Sequence, residues 1–191
     1  ILFPIFAKIF RIMYKGTVLI TGASSGFGLA TAKLFVEKGY QVFGTSRRPI
    51  SEKGIHYVAM DVRDRTSVET AIADILKVTN RIDIVVNNAG MGIGGALELA
   101  TDEEIAVQMD TNFMGCVHVC QAVLPHLRKQ GYGRIINLSS IGGVMGLPFQ
   151  GFYSASKFAI EGFSEALAAE VKGFGIDVTL IEPGDFSTNF L

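Results

Sequence analysis

From Lys15 onward, short apolar segments rich in β-branched residues alternate with longer amphipathic stretches. The short segments predict buried strands and the longer ones predict helices. Strands separated by ten or more residues of helix need crossover connections, so we expect a parallel sheet with helices on both faces. This pattern is typical of a doubly wound α/β domain. The predicted strands are Thr17–Thr21, Gln41–Ser46, Ile55–Met60, Ile82–Asn87, Arg134–Leu138 and Ile176–Glu182.

Capping and breaking residues indicate where the helices begin and end. Gly39 is expected to end the first helix. Thr101 and Glu104 have capping-box spacing, which predicts a helix start, and the long helix that follows is expected to bend or end near Pro125. The predicted helices are Leu29–Lys38, Asp64–Thr79, the long helix from Thr101 through Asn112 to Gln130, and Tyr153–Lys172.

Composition excludes several classes of protein. The 191 residues are 49% hydrophobic and 18% charged, which is too apolar for a disordered chain and long enough for one domain with its own core. Lys and Arg number 17 against 18 Asp and Glu, so no nucleic-acid partner is expected. Cys116 and Cys120 are predicted to be buried and unbridged, and with His118 between them they do not form a metal-ligand pattern.

Residues 1–12 are apolar apart from Lys8 and Arg11. The segment is too short to span a bilayer and lacks a signal-peptide cleavage site, so we place it outside the fold. Membrane association through it is the less favoured alternative to a cytoplasmic location. The fold is expected to occupy residues 13–191 as a single domain.

A glycine-rich loop follows the first strand, with glycines at 22, 26 and 28 before the next helix. Such glycines allow a tight turn, close approach to a pyrophosphate, and close packing of helix on strand, while the helix N-terminus attracts the phosphates. The stretch Gly90–Gly95 also fits a phosphate-binding pattern, but it follows the fourth strand and is therefore disfavoured as a phosphate site.

The end of the second strand indicates which dinucleotide is bound. An acidic residue there would accept from the ribose hydroxyls of NAD, but this chain has Arg47 and Arg48. A guanidinium can bind the 2′-phosphate of NADP in a bidentate manner. We therefore predict NADP(H), with NAD less favoured, and the alternative is that both arginines are only solvated loop charges.

Tyr153 and Lys157 are four residues apart at the start of a predicted helix, so they share one face. Ser140 follows the fifth strand, and Asn112 lies in the preceding helix. These side chains can meet at the carboxyl edge of the sheet. A close ammonium favours phenolate, so Lys157 is expected to lower the pKa of Tyr153 toward neutrality.

Together these segments resemble the short-chain dehydrogenase/reductase family, from Lys15 to the end of the chain. The spacing of thirteen from Ser140 to Tyr153 matches that family, and its fold would be a single-domain Rossmann fold. The matching segments are Thr21–Gly28, Asp61-Val62, Asn87–Gly90, Asn112, Ser140, Tyr153 with Lys157, and Pro183-Gly184 with Thr188.

The resemblance implies a role for each matching residue. Tyr153 would be the general acid for carbonyl reduction and the base for alcohol oxidation, and Lys157 would also hold the nicotinamide ribose. Ser140 would hydrogen-bond the reacting oxygen, and Asn112 would support a proton-relay water. Asp61 would accept from the adenine amino group, and Thr188 would bind the carboxamide. The expected cofactor-binding set is Gly22, Ser24, Ser25, Gly26, Phe27, Arg47, Asp61, Val62, Asn88, Ala89, Gly90, Tyr153, Lys157, Pro183, Gly184 and Thr188.

The segments around Ser140–Phe149 and Tyr153–Gly162 look most like the branch that includes estradiol 17-beta-dehydrogenase type 1 and photoreceptor retinol dehydrogenase. This suggests a small apolar alcohol or ketone as substrate, with Ser140 and Tyr153 in contact with it. Met145, Leu147 and Phe149 would face the substrate; the alternative is that these three only anchor the loop. A 3-oxoacyl thioester reductase and a non-catalytic NADP(H) sensor are the alternatives.

Family members normally continue beyond the Thr188 region with a helix that covers the substrate, so the chain is expected to be truncated at its C-terminus. A homodimer or homotetramer is expected from the resemblance.

Overall fold

The computed structural model describes residues 15–48 and 50–184, so segment 1–12 and Thr188 lie outside the described residues. The strands are β1 (Thr17–Thr21), β2 (Gln41–Ser46), β3 (Ile55–Ala59), β4 (Ile84–Asn87), β5 (Gly133–Leu138) and β6 (Ile176–Ile181). The α-helices are α1 (Gly26–Glu37), α2 (Arg65–Thr79), α3 (Asp102–Met109), α4 (Gly115–Gln130) and α5 (Gly151–Val171). A π-helical segment, Asp110–Met114, joins α3 to α4, and short 3₁₀ helices cover Leu97–Leu99, Ile141–Gly143 and Lys172–Phe174.

The six strands form one parallel sheet in the order β3-β2-β1-β4-β5-β6. From β1 the chain adds β2 and β3 toward one edge of the sheet, and from β4 it adds β5 and β6 toward the opposite edge. In such a sheet the carboxyl ends of β1 and β4 border a crevice at the point where the strand order reverses, which is where ligands bind. The doubly wound α/β prediction is confirmed.

Two hydrophobic clusters lie on the opposite faces of the sheet. Alternation along β1 points Val18 and Ile20 toward the cluster that includes Ala32 of α1. Leu19 points the other way, toward the larger cluster that includes Val119 of α4 and Ile72 of α2. Because both faces are covered, all five residues of β1 are buried, as the apolar composition of that segment predicts.

Several predicted boundaries were wrong by one to three residues. The helix α1 begins at Gly26 rather than Leu29, so two loop glycines belong to its first turn. The strand β4 begins at Ile84 rather than Ile82 because the Asp83 carboxylate accepts a hydrogen bond from the Thr17 N–H at 2.6 Å just before the strand. The ends of β3, β5, β6, α2 and α5 differ by one or two residues.

The long helix is interrupted by the π-helical segment and not at Pro125, which corrects the prediction made for that proline. The helix α4 continues through Pro125 and ends at Gln130, where Gly131 takes the left-handed conformation and donates to the Leu127 carbonyl at 2.9 Å. The proline leaves one helical hydrogen bond unmade, but the buried face of α4, which includes Val123 and Leu127, holds the helix together around it.

No helix in the described part of the chain is long and apolar enough to cross a membrane.

Candidate active site

The glycine loop has the conformation that its composition predicts. Gly22 and Gly26 have φ of 65° and 51°, a backbone region in which side chains are strained. A Cβ added to Gly28 would collide with the Gly22 carbonyl oxygen and would lie 2.5 Å from Asn88 Nδ2. The α1 N-terminus therefore packs directly against the loop, with Ser25 and Phe27 exposed at its rim and Ser24 half-buried.

Asn88 holds this loop from behind. Its side-chain amide donates to the Thr21 and Gly22 carbonyls at 2.9 and 3.1 Å. The Thr21 hydroxyl oxygen in turn accepts from the backbone N–H groups of Asn88 and Ala89. The sequence prediction placed Asn88 as a cofactor contact, whereas the structure places its side chain in the support of the loop.

The end of β2 carries two exposed arginines. Arg47 and Arg48 follow Ser46, whose hydroxyl donates to the Arg48 carbonyl at 2.7 Å. Asp61, after β3, pairs with Arg63 through contacts of 2.7 Å (Nη2 to Oδ2) and 3.1 Å (Nε to Oδ1). The hydrogen bond from Arg63 holds the pKa of Asp61 below its usual range. If an adenine amino group bound Asp61 as predicted, it would share the carboxylate with Arg63.

Val62 turns its side chain into the core. A Cβ on Gly115 would lie 2.7 Å from the Val62 Cγ2. The Val62 carbonyl oxygen lies 2.9 Å from His118 Nδ1. Any contact of Val62 with a cofactor would thus involve its backbone.

Ser140, Tyr153 and Lys157 meet at the carboxyl edge of the sheet, and all three are buried. The Tyr153 hydroxyl is hydrogen-bonded to that of Ser140, and the Ser140 oxygen also accepts from the Gly142 N–H at 3.1 Å. The Lys157 Nζ donates to the Leu138 carbonyl at 2.7 Å and lies 5.7 Å from the centre of the Tyr153 ring. The predicted convergence of the three side chains is present.

The predicted direction of the Tyr153 pKa is wrong for this structure. Burial raises the pKa of Tyr153 above its ordinary value, and the hydrogen bond with Ser140 opposes that rise only in part. The Lys157 ammonium is directed at Leu138 and does not lower the tyrosine pKa. Burial of Lys157 lowers its own pKa from 10.5 to about 8. Desolvation therefore sets the direction of both pKa shifts.

Asn112 lies in the π-helical segment and is fully buried. Its Oδ1 accepts from the Met91 N–H at 2.8 Å, and its Nδ2 donates to the Met91 carbonyl at 2.9 Å and to Ser156 Oγ at 3.0 Å. Between this amide and the lysine lies Gly90, where a Cβ would be 3.4 Å from Asn112 Oδ1 and 3.9 Å from Lys157 Nζ. Asn112 therefore joins the loop after β4 to α5 beside the lysine.

A cavity of about 240 Å³ lies between the loop after β4 and the N-terminus of α5. Phe152, the chain neighbour of Tyr153, lines it, but Ser140, Tyr153 and Lys157 do not. Phe149, one of the three residues predicted to face the substrate, lines this cavity, whereas Met145 and Leu147 do not. Leu147 instead lies over Gly142, with its N–H donating to Ser154 Oγ at 3.1 Å, and thus anchors the loop. The apolar lining is Ile93, Ala96, Leu97, Leu99, Ala100, Ile105, Phe149 and Phe152.

The stretch Gly90–Gly95 contributes to this cavity. Gly94 and Gly95 line its wall, and the Gly95 N–H donates to the Phe149 carbonyl at 2.8 Å. On the other side of the site, the Pro183 carbonyl accepts from the Ile141 N–H at 3.0 Å, which brings Pro183 and Gly184 next to the Ser140 loop.

The sequence analysis did not predict two polar residues of the site. Gln108 is buried, lines the cavity and accepts from the Ile93 N–H at 2.5 Å through Oε1. Ser156 donates to the Tyr153 carbonyl at 2.7 Å and accepts from Asn112. Gln108 lies four residues before Asn112, so helical spacing was the one available signal for it.

The cysteines are buried and free, as predicted. Within residues 15–48 and 50–184, no group of three His, Cys, Asp or Glu side chains is arranged to hold a metal ion.

The sequence pattern of the short chain dehydrogenase family matches residues 16–191, which include the glycine loop and the tyrosine-lysine pair. The chain belongs to the short-chain dehydrogenase family. Its α/β fold is that of a short-chain dehydrogenase, as the resemblance predicted.

The chain is 59% identical over 179 residues to the 3-ketodihydrosphingosine reductase of Bacteroides thetaiotaomicron. The alignment covers 93% of this chain and 66% of that reductase. The chain is 36% identical over 197 residues to human 17-beta-hydroxysteroid dehydrogenase type 1, covering 94% and 59% of the two chains. The structure of ElxO with NADP bound superposes with a TM-score of 0.88 at 31% identity, covering 92% and 75%. The chain thus spans only part of the length of these curated relatives, 66% and 59% respectively.

Proposed function

We propose that this dehydrogenase reduces a ketone on an apolar substrate with NADPH, with Tyr153 as the proton donor. The observation that carries the proposal is the buried cluster of Ser140, Tyr153 and Lys157. A cavity with a largely apolar lining lies at the N-terminus of α5, the helix that bears Tyr153 and Lys157. The names of two relatives, a 3-ketodihydrosphingosine reductase and a 17-beta-hydroxysteroid dehydrogenase, support a largely hydrocarbon substrate with one ketone or hydroxyl group. A cytoplasmic homodimer or homotetramer remains our prediction for its location and assembly.

The residues at the crevice fit a dinucleotide. Gly22 and Gly28 let the loop pack closely against Asn88 and Ala89, whereas the Cβ position of Gly26 is open. The backbone N–H groups at the N-terminus of α1 would bind the phosphates. Arg47, exposed at the end of β2, would bind a 2′-phosphate, and the structural relative ElxO binds NADP. The cofactor supplies a hydride to the carbonyl carbon when it is bound.

The protein groups would supply the proton and hold the reacting oxygen. A phenol with the ordinary pKa of 10.0 is already protonated near neutrality, and burial raises the pKa of Tyr153 further, so its hydroxyl can donate to a carbonyl oxygen. The Ser140 hydroxyl is bonded to that phenol, so the same oxygen can be held by both. Lys157 would hold the nicotinamide ribose, and Asn112 would keep the loop after β4 in place next to it.

Replacement of Tyr153 by Phe tests the proposal. We expect kcat to fall by about 10²–10⁴-fold, because the proton donor is lost while the ring is kept. The affinity for NADPH should change little. Tyr132→Phe is the matched control, since Tyr132 is exposed and lies before β5, at the amino ends of the strands. Full turnover in Tyr153→Phe would refute the assignment of the proton donor.

A substrate panel addresses the substrate class. It contains a long-chain 3-keto amino alcohol, a 17-ketosteroid, a retinal and a 3-oxoacyl thioester, each followed by NADPH consumption. We expect the long-chain ketone to have the highest kcat/KM. Preference for the thioester would select the alternative reductase activity.

A further inference from the structure

Glu161 lies one helical turn after Lys157 on α5, and its Oε1 is enclosed by protein without a hydrogen-bond partner among the described residues. A buried carboxylate oxygen is costly unless a charge or a donor compensates it. The catalytic scheme above gives this side chain no role. Its compensation must therefore come from its surroundings.

A second enclosed oxygen lies beside it. The Ser139 Oγ is also buried without a partner in the described part of the chain. Both oxygens face Gly143: a Cβ there would lie 3.1 Å from Glu161 Oε1 and would collide with Ser139 Oγ. Two unpaired oxygens on the same side of one turn suit a bridging water molecule. Glycine at position 143 keeps that space open.

This pair of oxygens adjoins the anchor of the lysine. Ser139 directly follows Leu138, whose carbonyl accepts from Lys157 Nζ at 2.7 Å. Helical side chains lean toward the helix N-terminus, so the Glu161 side chain reaches back toward the turn of Lys157. The carboxylate and the ammonium thus lie against the same short segment at the end of β5.

Few ionisable side chains lie near Lys157. Burial lowers its pKa to about 8, while the charges of Cys116 from α4 and Glu161 act to raise it. On its own helix the Tyr153 ring is the other ionisable neighbour. The turn Ile141–Gly143 brings no ionisable side chain, and the acidic residues of α3 and β6 are exposed. Glu161 is therefore the carboxylate placed to act on the lysine.

We propose that Glu161 is a positioning residue of this active site, whose carboxylate keeps the buried Lys157 amine protonated and directed at the Leu138 carbonyl. The role of Lys157 in the reaction rests on the proposed function, but its protonation by Glu161 does not. Only a charged lysine can serve as a cation toward the cofactor ribose and the phenol.

The experiment measures the titration of Lys157 directly, by NMR of protein with ¹³C-labelled lysine, the resonance being assigned by its loss in Lys157→Arg. In Glu161→Gln we expect the titration midpoint to fall by about one pH unit. In Glu161→Asp, which keeps the charge but retracts it, the fall should be smaller. Glu165→Gln, one turn further along α5 and exposed, should leave the midpoint unchanged.

A second measurement is the pH profile of kcat/KM for ketone reduction. In Glu161→Gln, the pH at which the alkaline limb begins should fall by the same amount as the lysine midpoint. An unchanged lysine midpoint overturns the proposal, as does an equal shift in Glu165→Gln. If the midpoint falls but no ketone is reduced by the wild type, the role of Glu161 stands and the proposed function fails. If Glu161→Gln does not fold, the Asp variant decides: a midpoint below that of the wild type supports the proposal, and an equal one overturns it.

Discussion

The main-chain carbonyl of Phe149 accepts a hydrogen bond from the Gly95 N–H at 2.8 Å, which ties the loop after β5 to the loop after β4. Phe149 has a φ of 62°, a left-handed conformation that is strained for a residue with a side chain. Its ring is 70% exposed and lines the cavity. The strain is therefore located at the wall of the cavity, where the two loops meet.

Comparison of Phe149→Gly with Phe149→Ala isolates this strain, because both variants lose the ring. We expect the glycine variant to be more stable by about 1 kcal/mol, since only glycine adopts this φ freely. At an ordinary helix position the order would be reversed. Urea unfolding of both variants measures the difference, and an alanine variant that is the more stable would contradict the left-handed conformation.

Gly28→Ala should destabilise the protein by about 2 kcal/mol, because the added Cβ would displace the Gly22 carbonyl and the Asn88 amide that holds the loop. The affinity for NADPH should fall as well. Gly162→Ala is the matched control: it lies inside α5, no heavy atom is within 4 Å of its Cβ, and the change should stabilise the protein by about 0.5–1 kcal/mol. Thermal unfolding and NADPH fluorescence measure the two effects, and equal behaviour of the two variants would rule out the tight packing at Gly28.

Arg47→Asp tests the choice of dinucleotide. Loss of a charged hydrogen bond to the 2′-phosphate should raise the Kd for NADPH roughly 30-fold, equivalent to about 2 kcal/mol, with little change for NADH. Lys129→Asp makes the same change of charge near the end of α4, close to the amino ends of the strands, and should affect neither cofactor. Titration of both cofactors measures this, and a wild-type preference for NADH would refute the role assigned to Arg47.

The sequence was sufficient to predict the sheet because its strands are apolar and β-branched, and because parallel topology brings the strand ends to one edge. Thr17–Thr21 and Gln41–Ser46 were predicted with the observed bounds. Ser140 and Tyr153 could be brought together by the same reasoning, since one follows β5 and the other opens α5.

What the sequence did not predict depends on contacts between distant residues. The π-helical segment coincides with Asn112, whose partners Met91 and Ser156 are 21 and 44 positions away in the chain. Local spacing carries no signal for such bonds, whereas a proline is a visible breaker, so the interruption was placed at Pro125. The pKa of Tyr153 likewise depends on burial depth and on the direction of the Lys157 ammonium, which i, i+4 spacing leaves open.

Burial of Lys157 should make stability depend on pH in the alkaline range. Its pKa is about 8 in the folded protein and 10.5 when unperturbed. Below pH about 8, both states hold the proton and the folded state bears the full cost of burying the charge. Between the two values the unfolded state binds more protons than the folded one, so the free energy of unfolding rises with pH.

Relative to Lys157→Met, we expect the wild type to gain about 2 kcal/mol of unfolding free energy between about pH 7 and about pH 9.5. The variant lacks the titrating amine, so the difference between the two curves removes the contributions of all other groups. Lys172→Met, at an exposed position after α5, should follow the wild type. Urea unfolding at a series of pH values measures the curves. Parallel curves for the wild type and Lys157→Met would show that the amine is not desolvated, because a solvated lysine would lose its proton at the same pH in both states.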